Sequence, residues 1–284
     1  VKTCAFTYHR PDTIAAAVGL LAALAPVGGR ILAGGQSLVP MMAYRMAQPA
    51  HLIDINRVAE LDFVSAGETV LRIGAAVRHA AFGRPVCGGA LGAMLPVIAR
   101  HIAHAPIRNR GTFGGSLANA DPASEWCTLL ATLDGRVEAQ GRDGAREIAA
   151  AAFFGGVMTT QLRDDELLTA ASLPILRGYQ WGFYEINRRA GDYAMAMCLV
   201  AYRLRDGVMA DAHLGIGGAE AFPRRLTLAE FVLNGERPDG AIFARAAEAA
   251  AAALDPMTDH NMSAAFRRHL VQTAVSRALS WSLA

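Results

Sequence analysis

Two glycine-rich segments constrain this chain more than any other feature: Leu32-Ala-Gly-Gly-Gln-Ser-Leu38 and Arg110-Gly-Thr-Phe-Gly-Gly-Ser-Leu-Ala-Asn-Ala-Asp-Pro122. Each sets adjacent glycines beside hydroxyl or amide side chains. Glycine reaches φ > 0 at no steric cost and lets a ligand come close to the backbone. Successive N–H groups can then converge on one anion, so two such segments suit the diphosphate of a large cofactor. The first follows Arg30-Ile-Leu-Ala33, a predicted short strand, and runs into Ser37 to Met46, a predicted helix stopped by Pro49. A second short strand, His51-Leu-Ile-Asp-Ile55, comes next. Strand, glycine turn, helix and strand make an α/β unit. Backbone amides beside a helix start favour phosphate, and the same residues also suit an ordinary tight turn. Neither segment is G-x-G-x-x-G or G-x-x-x-x-G-K-S/T, which argues against those nucleotide folds.

Elsewhere the pattern is mixed. Pro11-Asp-Thr13 leads an Ala/Leu run ending near Leu24, read as a capped helix. Leu61 to Val64 and Val70 to Ile73 read as strands around Gly67. Ala90 to His104 reads as one helix with an apolar face of Leu91, Leu95, Ile98 and Ile102. Trp126 to Leu133 reads as helix, Arg136 to Gln140 as strand, and Leu173-Pro-Ile175 as an edge strand. A boundary is expected near Arg177. Beyond it, Trp181 to Ile186, Ala196 to Leu204 and Asp211 to Ile216 read as antiparallel strands, with Gly207 in the last turn. Ala241 to Leu254 and Met262 to Arg277 read as helices. The expected division is 1–176, with subdomains of about 1–57 and 58–176, and 177–284 as a small sheet packed on helices.

At 284 residues with 53% hydrophobic and 18% charged side chains, the chain can bury a large core. A net charge of +2 with no Lys/Arg block gives no nucleic-acid footprint. Cys4, Cys87, Cys127 and Cys198 are too dispersed for a local cluster of thiolate ligands and read as free thiols. The start, Val1 to Tyr8, has no long apolar run for a signal peptide, and no stretch is long enough to span a bilayer, so a cytoplasmic protein is expected. His101 and His104 share a helix face in this reading, without a third metal ligand beside them. Ser37 and Ser116 lack an evident base. In the second segment Arg108 and Arg110 bring cations to the mouth, or pair with carboxylates across an interface. Asp121 and Glu125 can accept from ribose hydroxyls, or Asp121-Pro122 simply starts a helix. Arg188-Arg-Ala-Gly-Asp-Tyr193 reads as a hairpin whose Tyr193 can meet an aromatic ring.

On these motifs the chain resembles the FAD-binding medium subunit of the molybdenum hydroxylases, the family of carbon monoxide dehydrogenase, quinoline- and nicotine-type dehydrogenases and the xanthine dehydrogenase flavin domain. The carrying segments are Ala33 to Pro40, Ile107 to Glu125 and Arg188 to Tyr193, with smaller matches at His51 to Ile55 and Asp165 to Leu168; together they extend the resemblance over almost the whole chain. It implies an α+β chain: a two-part FAD-binding domain of the vanillyl alcohol oxidase/p-cresol methylhydroxylase type, then an antiparallel sheet on helices. It implies FAD wrapped by Leu32, Ala33, Gly34, Gly35, Gln36 and Ser37, closed by Thr112, Gly114 and Gly115, with Asn119, Asp121 and Glu125 as polar contacts. Leu168 falls near the flavin-lining leucine region and Tyr193 near the isoalloxazine. No residue of this chain is expected to be catalytic or to hold a metal. The implied assembly is a dimer of heterotrimers, in which a small subunit carries [2Fe-2S] clusters and a large subunit carries molybdopterin and hydroxylates an N-heteroaromatic substrate. A carbon monoxide dehydrogenase-type enzyme and a self-contained flavin oxidoreductase are the alternatives. Tyr184 stands where the xanthine dehydrogenase branch has lysine near the flavin, which leaves a quinone, a cytochrome or another acceptor open besides NAD. The cysteines for the extra iron–sulfur cluster of the hydroxybenzoyl-CoA reductase branch are missing.

Overall fold

The computed structural model describes residues 2–260 and 262–283. The chain opens with β1 (Thr7–His9), α1 (Ile14–Leu24), β2 (Gly29–Leu32), α2 (Leu38–Ala43) and β3 (His51–Asp54). The strands form a parallel sheet in the order β1-β3-β2. Thr13 caps α1 by accepting the Ala16 N–H at 3.2 Å. Ala17, Val18 and Leu21 bury its inner face. The sequence-expected α/β unit is present; β1 is an addition, and α2 is shorter than expected.

Next come β4 (Val64–Ala66), β5 (Val70–Gly74), α3 (Gly89–His101), α4 (Ala105–Arg108), α5 (Phe113–Asn119), α6 (Glu125–Thr132), β6 (Arg136–Gly141), β7 (Gly144–Ala149), α7 (Ala150–Phe153), β8 (Phe154–Gly156), β9 (Thr159–Thr160) and β10 (Leu167–Pro174). A five-stranded sheet runs β4-β5-β10-β6-β7. The stretch around Leu173-Pro-Ile175 is therefore no edge strand: β10 is central, flanked by antiparallel β5 and β6. Pro174 is tolerated because it is the last residue of β10, at the end of the ladder. Leu61 closes a short 3₁₀ turn instead of opening a strand. The expected helix from Ala90 to His104 ends earlier, at His101, because Ile102 is extended and Ala103 adopts φ +41°; a separate short helix, α4, begins at Ala105. His101 and His104 thus share no helix face; His104 precedes α4 as its cap residue.

The last part is β11 (Tyr179–Ile186), β12 (Ala196–Arg205), β13 (Val208–Gly217), β14 (Arg224–Arg225), α8 (Thr227–Leu233), α9 (Gly240–Ala252) and α10 (Ala264–Trp281). Its antiparallel sheet runs β11-β12-β13-β14. The period of two in β12 sends Met197, Leu199 and Ala201 into the core shared with the preceding elements, and Cys198, Val200 and Tyr202 into a second core closed by α9 and α10. Among the described residues no helix is long and apolar enough to cross a membrane.

Candidate functional site

A cleft of about 990 Å³ lies against both glycine segments. That is the upper end of the range of small-molecule sites, about 300–1,000 Å³. Ala33, Gly34, Gly35, Gln36 and Ser37 line it from the turn between β2 and α2. Gly35 sits at φ +72°, a conformation glycine adopts freely. Among the described residues, no protein acceptor takes the backbone N–H of Gly34, Gly35, Gln36 or Ser37. Four unpaired donors on one turn make an anion cradle. The Gln36 side chain folds back and donates to the Gly34 carbonyl at 3.0 Å.

The second segment works differently. It is largely helix, α5, capped by Thr112, whose Oγ1 accepts the Gly115 N–H at 3.0 Å. Its first amides are spent: Phe113 and Gly114 donate to Val77 and Ala75 carbonyls. None of Gly111, Gly114 and Gly115 has positive φ. Glycine is needed there for close packing. A Cβ on Gly114 would lie 2.5 Å from Ala75 Cα, and one on Gly111 would lie 2.6 Å from the His79 ring. A Cβ on Gly34 would lie 2.2 Å from the Arg110 carbonyl oxygen and 2.6 Å from Gly111 Cα. The two segments therefore meet backbone to backbone.

Thr112, Gly115, Asn119, Asp121, Glu125 and Tyr193 line the same cleft. Leu32, Gly114 and Leu168 do not: Gly114 faces Ala75, and Leu168 is buried in β10. Asp121 is not a helix start; its carboxylate accepts the Ala123 N–H at 2.9 Å, and Ser124 caps α6 instead. Burial raises the Asp121 carboxyl. Burial and the neighbouring Glu185 raise that of Glu125 well above the usual carboxylate range. Carboxyl oxygens at these positions can accept hydrogen bonds from sugar hydroxyls. Arg188 to Tyr193 joins β11 to β12, and Gly191, at φ +84°, packs on the His104 ring to bring Asp192 and Tyr193 to the cleft.

Arg108 and Arg110 do not line the cleft. Arg108 Nη1 donates to the Ile102 and Ala103 carbonyls at 2.9 and 2.7 Å, bracing the break between α3 and α4. Among the described residues, the Lys/Arg side chain on the cleft wall is that of Arg30 of β2, and a buried histidine, His79, joins it. Sequence reasoning passed over both. A charged residue inside a short apolar strand was the available signal for Arg30; His79 carried none. Trp126 Nε1 donates to His79 Nδ1 at 2.9 Å, which leaves the proton of the neutral ring on Nε2. Among the described residues there is no group of three or more metal-ligating side chains.

These features fit a long anionic cofactor with sugar hydroxyls: a donor cradle at one place and carboxyl acceptors at another. The comparisons agree. The family model for the FAD binding domain in molybdopterin dehydrogenase matches residues 4–176, and that for the CO dehydrogenase flavoprotein C-terminal domain matches 181–282. The nicotine 6-hydroxylase medium subunit of Paenarthrobacter nicotinovorans is 39% identical, over 98% of each chain. The carbon monoxide dehydrogenase medium chain of Afipia carboxidovorans is 34% identical, over 96% of this chain and 95% of that one. Quinoline 2-oxidoreductase from Pseudomonas putida 86 superposes with a TM-score of 0.92 at 33% identity, over 100% of this chain and 99% of its own.

Proposed function

The chain belongs to the family of FAD-binding medium subunits of molybdopterin dehydrogenases, and from that membership we propose that it is the electron-transfer subunit of a heterotrimeric molybdenum hydroxylase. It takes electrons from [2Fe-2S] clusters of a small partner and passes them to an external acceptor, while a large molybdopterin subunit carries out the hydroxylation. Two such heterotrimers pair, and the assembly works in the cytoplasm. Residues 1–176 form the FAD-binding unit and 177–284 the C-terminal unit. Bound FAD supplies the redox chemistry, and the protein's part is to hold and tune it.

In this reading the free amides of Gly34 to Ser37 bind the diphosphate. Thr112, Gly115 and Asn119 close over the chain of the cofactor from α5. Asp121 and Glu125 take its hydroxyls, and Tyr193, largely exposed at the cleft mouth, covers the ring. The carrying observation is the row of unpaired amides at Gly34 to Ser37 on a cleft that Asp121 and Glu125 also line. An N-heteroaromatic substrate is favoured, since relatives are named for nicotine and caffeine and a solved structure for quinoline. Carbon monoxide is the second reading, favoured by the carbon monoxide dehydrogenase relatives and by a TM-score of 0.92 to one such enzyme.

The test is isolation of the untagged complex, with its visible spectrum and the masses of co-purifying chains. Flavin bands with iron–sulfur and molybdopterin subunits in equal amounts are expected. Turnover of N-heteroaromatics against carbon monoxide then separates the two substrate readings. A flavin-bearing chain that purifies alone and oxidises a donor unaided would overturn the subunit assignment. Gly35→Val, which strains φ +72° and sets a side chain against Val39 and Leu32, is expected to purify without flavin; parent-like flavin content would remove the first glycine turn from the site.

A further inference from the structure

The first glycine segment is the turn between β2 and α2 and the second leads into α5, and their abutment needs something to hold it. Gly34 lies directly over the Arg110 carbonyl, a contact that leaves no room for a Cβ. A chain of three hydrogen bonds leads from one segment to the other, and the contact at Gly34 closes it into a ring. Asn56 Nδ2 donates to the Ala33 carbonyl at 2.8 Å, on the first segment. Arg78 Nη2 donates to Asn56 Oδ1 at 2.6 Å. Arg78 Nη1 donates to the Arg110 carbonyl, the same oxygen that faces Gly34. Asp54 Oδ1 orients the Asn56 side chain by accepting from both its backbone N–H, at 2.8 Å, and its Nδ2. Tyr8 in turn donates to Asp54 Oδ2, tying the ring to β1.

Neither Asn56 nor Arg78 lines the cleft. We propose that they form a polar clasp that sets the spacing between the first glycine turn and the start of α5, and so act as positioning residues for cofactor retention. The proposal rests on the reading that FAD lies between these segments. The chemistry of the clasp is specific. A planar guanidinium spans two acceptors in fixed directions, which an ammonium does not reproduce. A carboxamide gives a two-hydrogen donor nitrogen, here shared between the Ala33 carbonyl and Asp54, and an acceptor oxygen for Arg78; a carboxylate at the same place keeps the acceptor for Arg78 but turns an oxygen toward the Ala33 carbonyl and Asp54.

The experiment uses the full chain, stripped of flavin and titrated with FAD, with affinity and release rate followed by flavin fluorescence. Thermal unfolding of the apo chain is recorded for every variant. For Asn56→Ala and Arg78→Gln, FAD is expected to bind about tenfold or more weakly, mainly through faster release, as for other outer-layer positioning groups. Apo unfolding temperatures should stay near the parent's, since Asn56 is exposed and Arg78 half-buried. Arg78→Lys should fail to rescue, and Asn56→Asp should retain less FAD than the parent. The double variant should lose little more than either single one, because both open the same ring. FAD affinity within twofold of the parent in both single variants would overturn the clasp, and so would losses that merely follow lower apo stability. Gly35→Val is run alongside. If it keeps flavin, the reading of the site fails; if it loses flavin while the clasp variants hold theirs, only the clasp fails.

Discussion

His79 and Glu185 bear on stability in opposite directions. His79 is buried with its pKa lowered to about 4, first by burial and then by the Arg78 and Arg108 charges. An unfolded histidine takes its proton near pH 6.5. The native state resists that proton, so the stability held above pH 6.5 is lost as pH falls toward 4, by up to about 3 kcal/mol. Glu185 on β11 is pushed up to about 7 by burial, with only the Asn187 amide bond opposing. Among the described residues its Oε2 has no hydrogen-bond partner, and His101 Nδ1 stands 3.7 Å away. The native state keeps this proton, which the unfolded chain gives up near pH 4.5, so stability is lost as pH rises from 4.5 through 7. Glu185→Gln removes the ionisation. Relative to the parent it should gain about 1–3 kcal/mol at pH 8 and almost nothing at pH 4, where Glu185 is neutral in both the folded and the unfolded chain. Urea unfolding of the apo chain at both pH values checks this; an equal effect at the two would show that Glu185 does not titrate there.

At the scale of elements, close approach decides which glycines matter. Helix α10 crosses β11 so tightly that a Cβ on Gly182 would lie 1.9 Å from the Ala278 carbonyl oxygen. Neither backbone can yield cheaply, so Gly182→Ala should cost about 1–3 kcal/mol. Gly19, exposed inside α1 with nothing within 4 Å, is the opposite case, and Gly19→Ala should stabilise by about 0.5–1 kcal/mol. Thermal unfolding of the two variants should move in opposite directions. The same distinction explains what could be read beforehand. The turn at Gly34-Gly35 was legible because strand, glycines and helix follow one another locally. The helix α5 was not, since Gly114 and Gly115 are poor helix formers; it forms because Thr112 caps it and because its glycines let it press onto Ala75. The central place of β10 was hidden by Pro174. Of the residues lining the cleft, Asn119, Asp121, Glu125 and Tyr193 were expected from motif; Arg30 stands in β2 just ahead of the glycine turn, where a charge in an apolar strand was its one signal, and His79 is brought in by tertiary packing that no local pattern records.

For the whole molecule, the antiparallel C-terminal sheet begins at β11, just after Arg177, yet the packing runs across that point. One face of β12 belongs to the first core through Met197, Leu199 and Ala201, and Phe183 of β11 joins them. The C-terminal sheet is thus a wall of the FAD-binding unit, packed against α3 and α6. It approaches α6 closely enough that Gly215 and Gly217 leave no space for a Cβ beside Thr132 and Thr128. The cleft takes Gly191, Asp192 and Tyr193 from the same part of the chain. Domains joined by a modest, polar interface commonly fold alone; a strand buried on both faces is not such an interface. A fragment of residues 1–176 would expose the faces of α3 and α6 that the sheet covers, and it would lack one wall of the cleft. It is expected to aggregate and to retain no flavin, whereas co-expression with 177–284 should restore both solubility and flavin. The intact chain should unfold in one calorimetric transition whose calorimetric and van't Hoff enthalpies agree. Two resolved transitions, or a soluble 1–176 fragment that binds FAD as the parent does, would show that the two units are energetically separate.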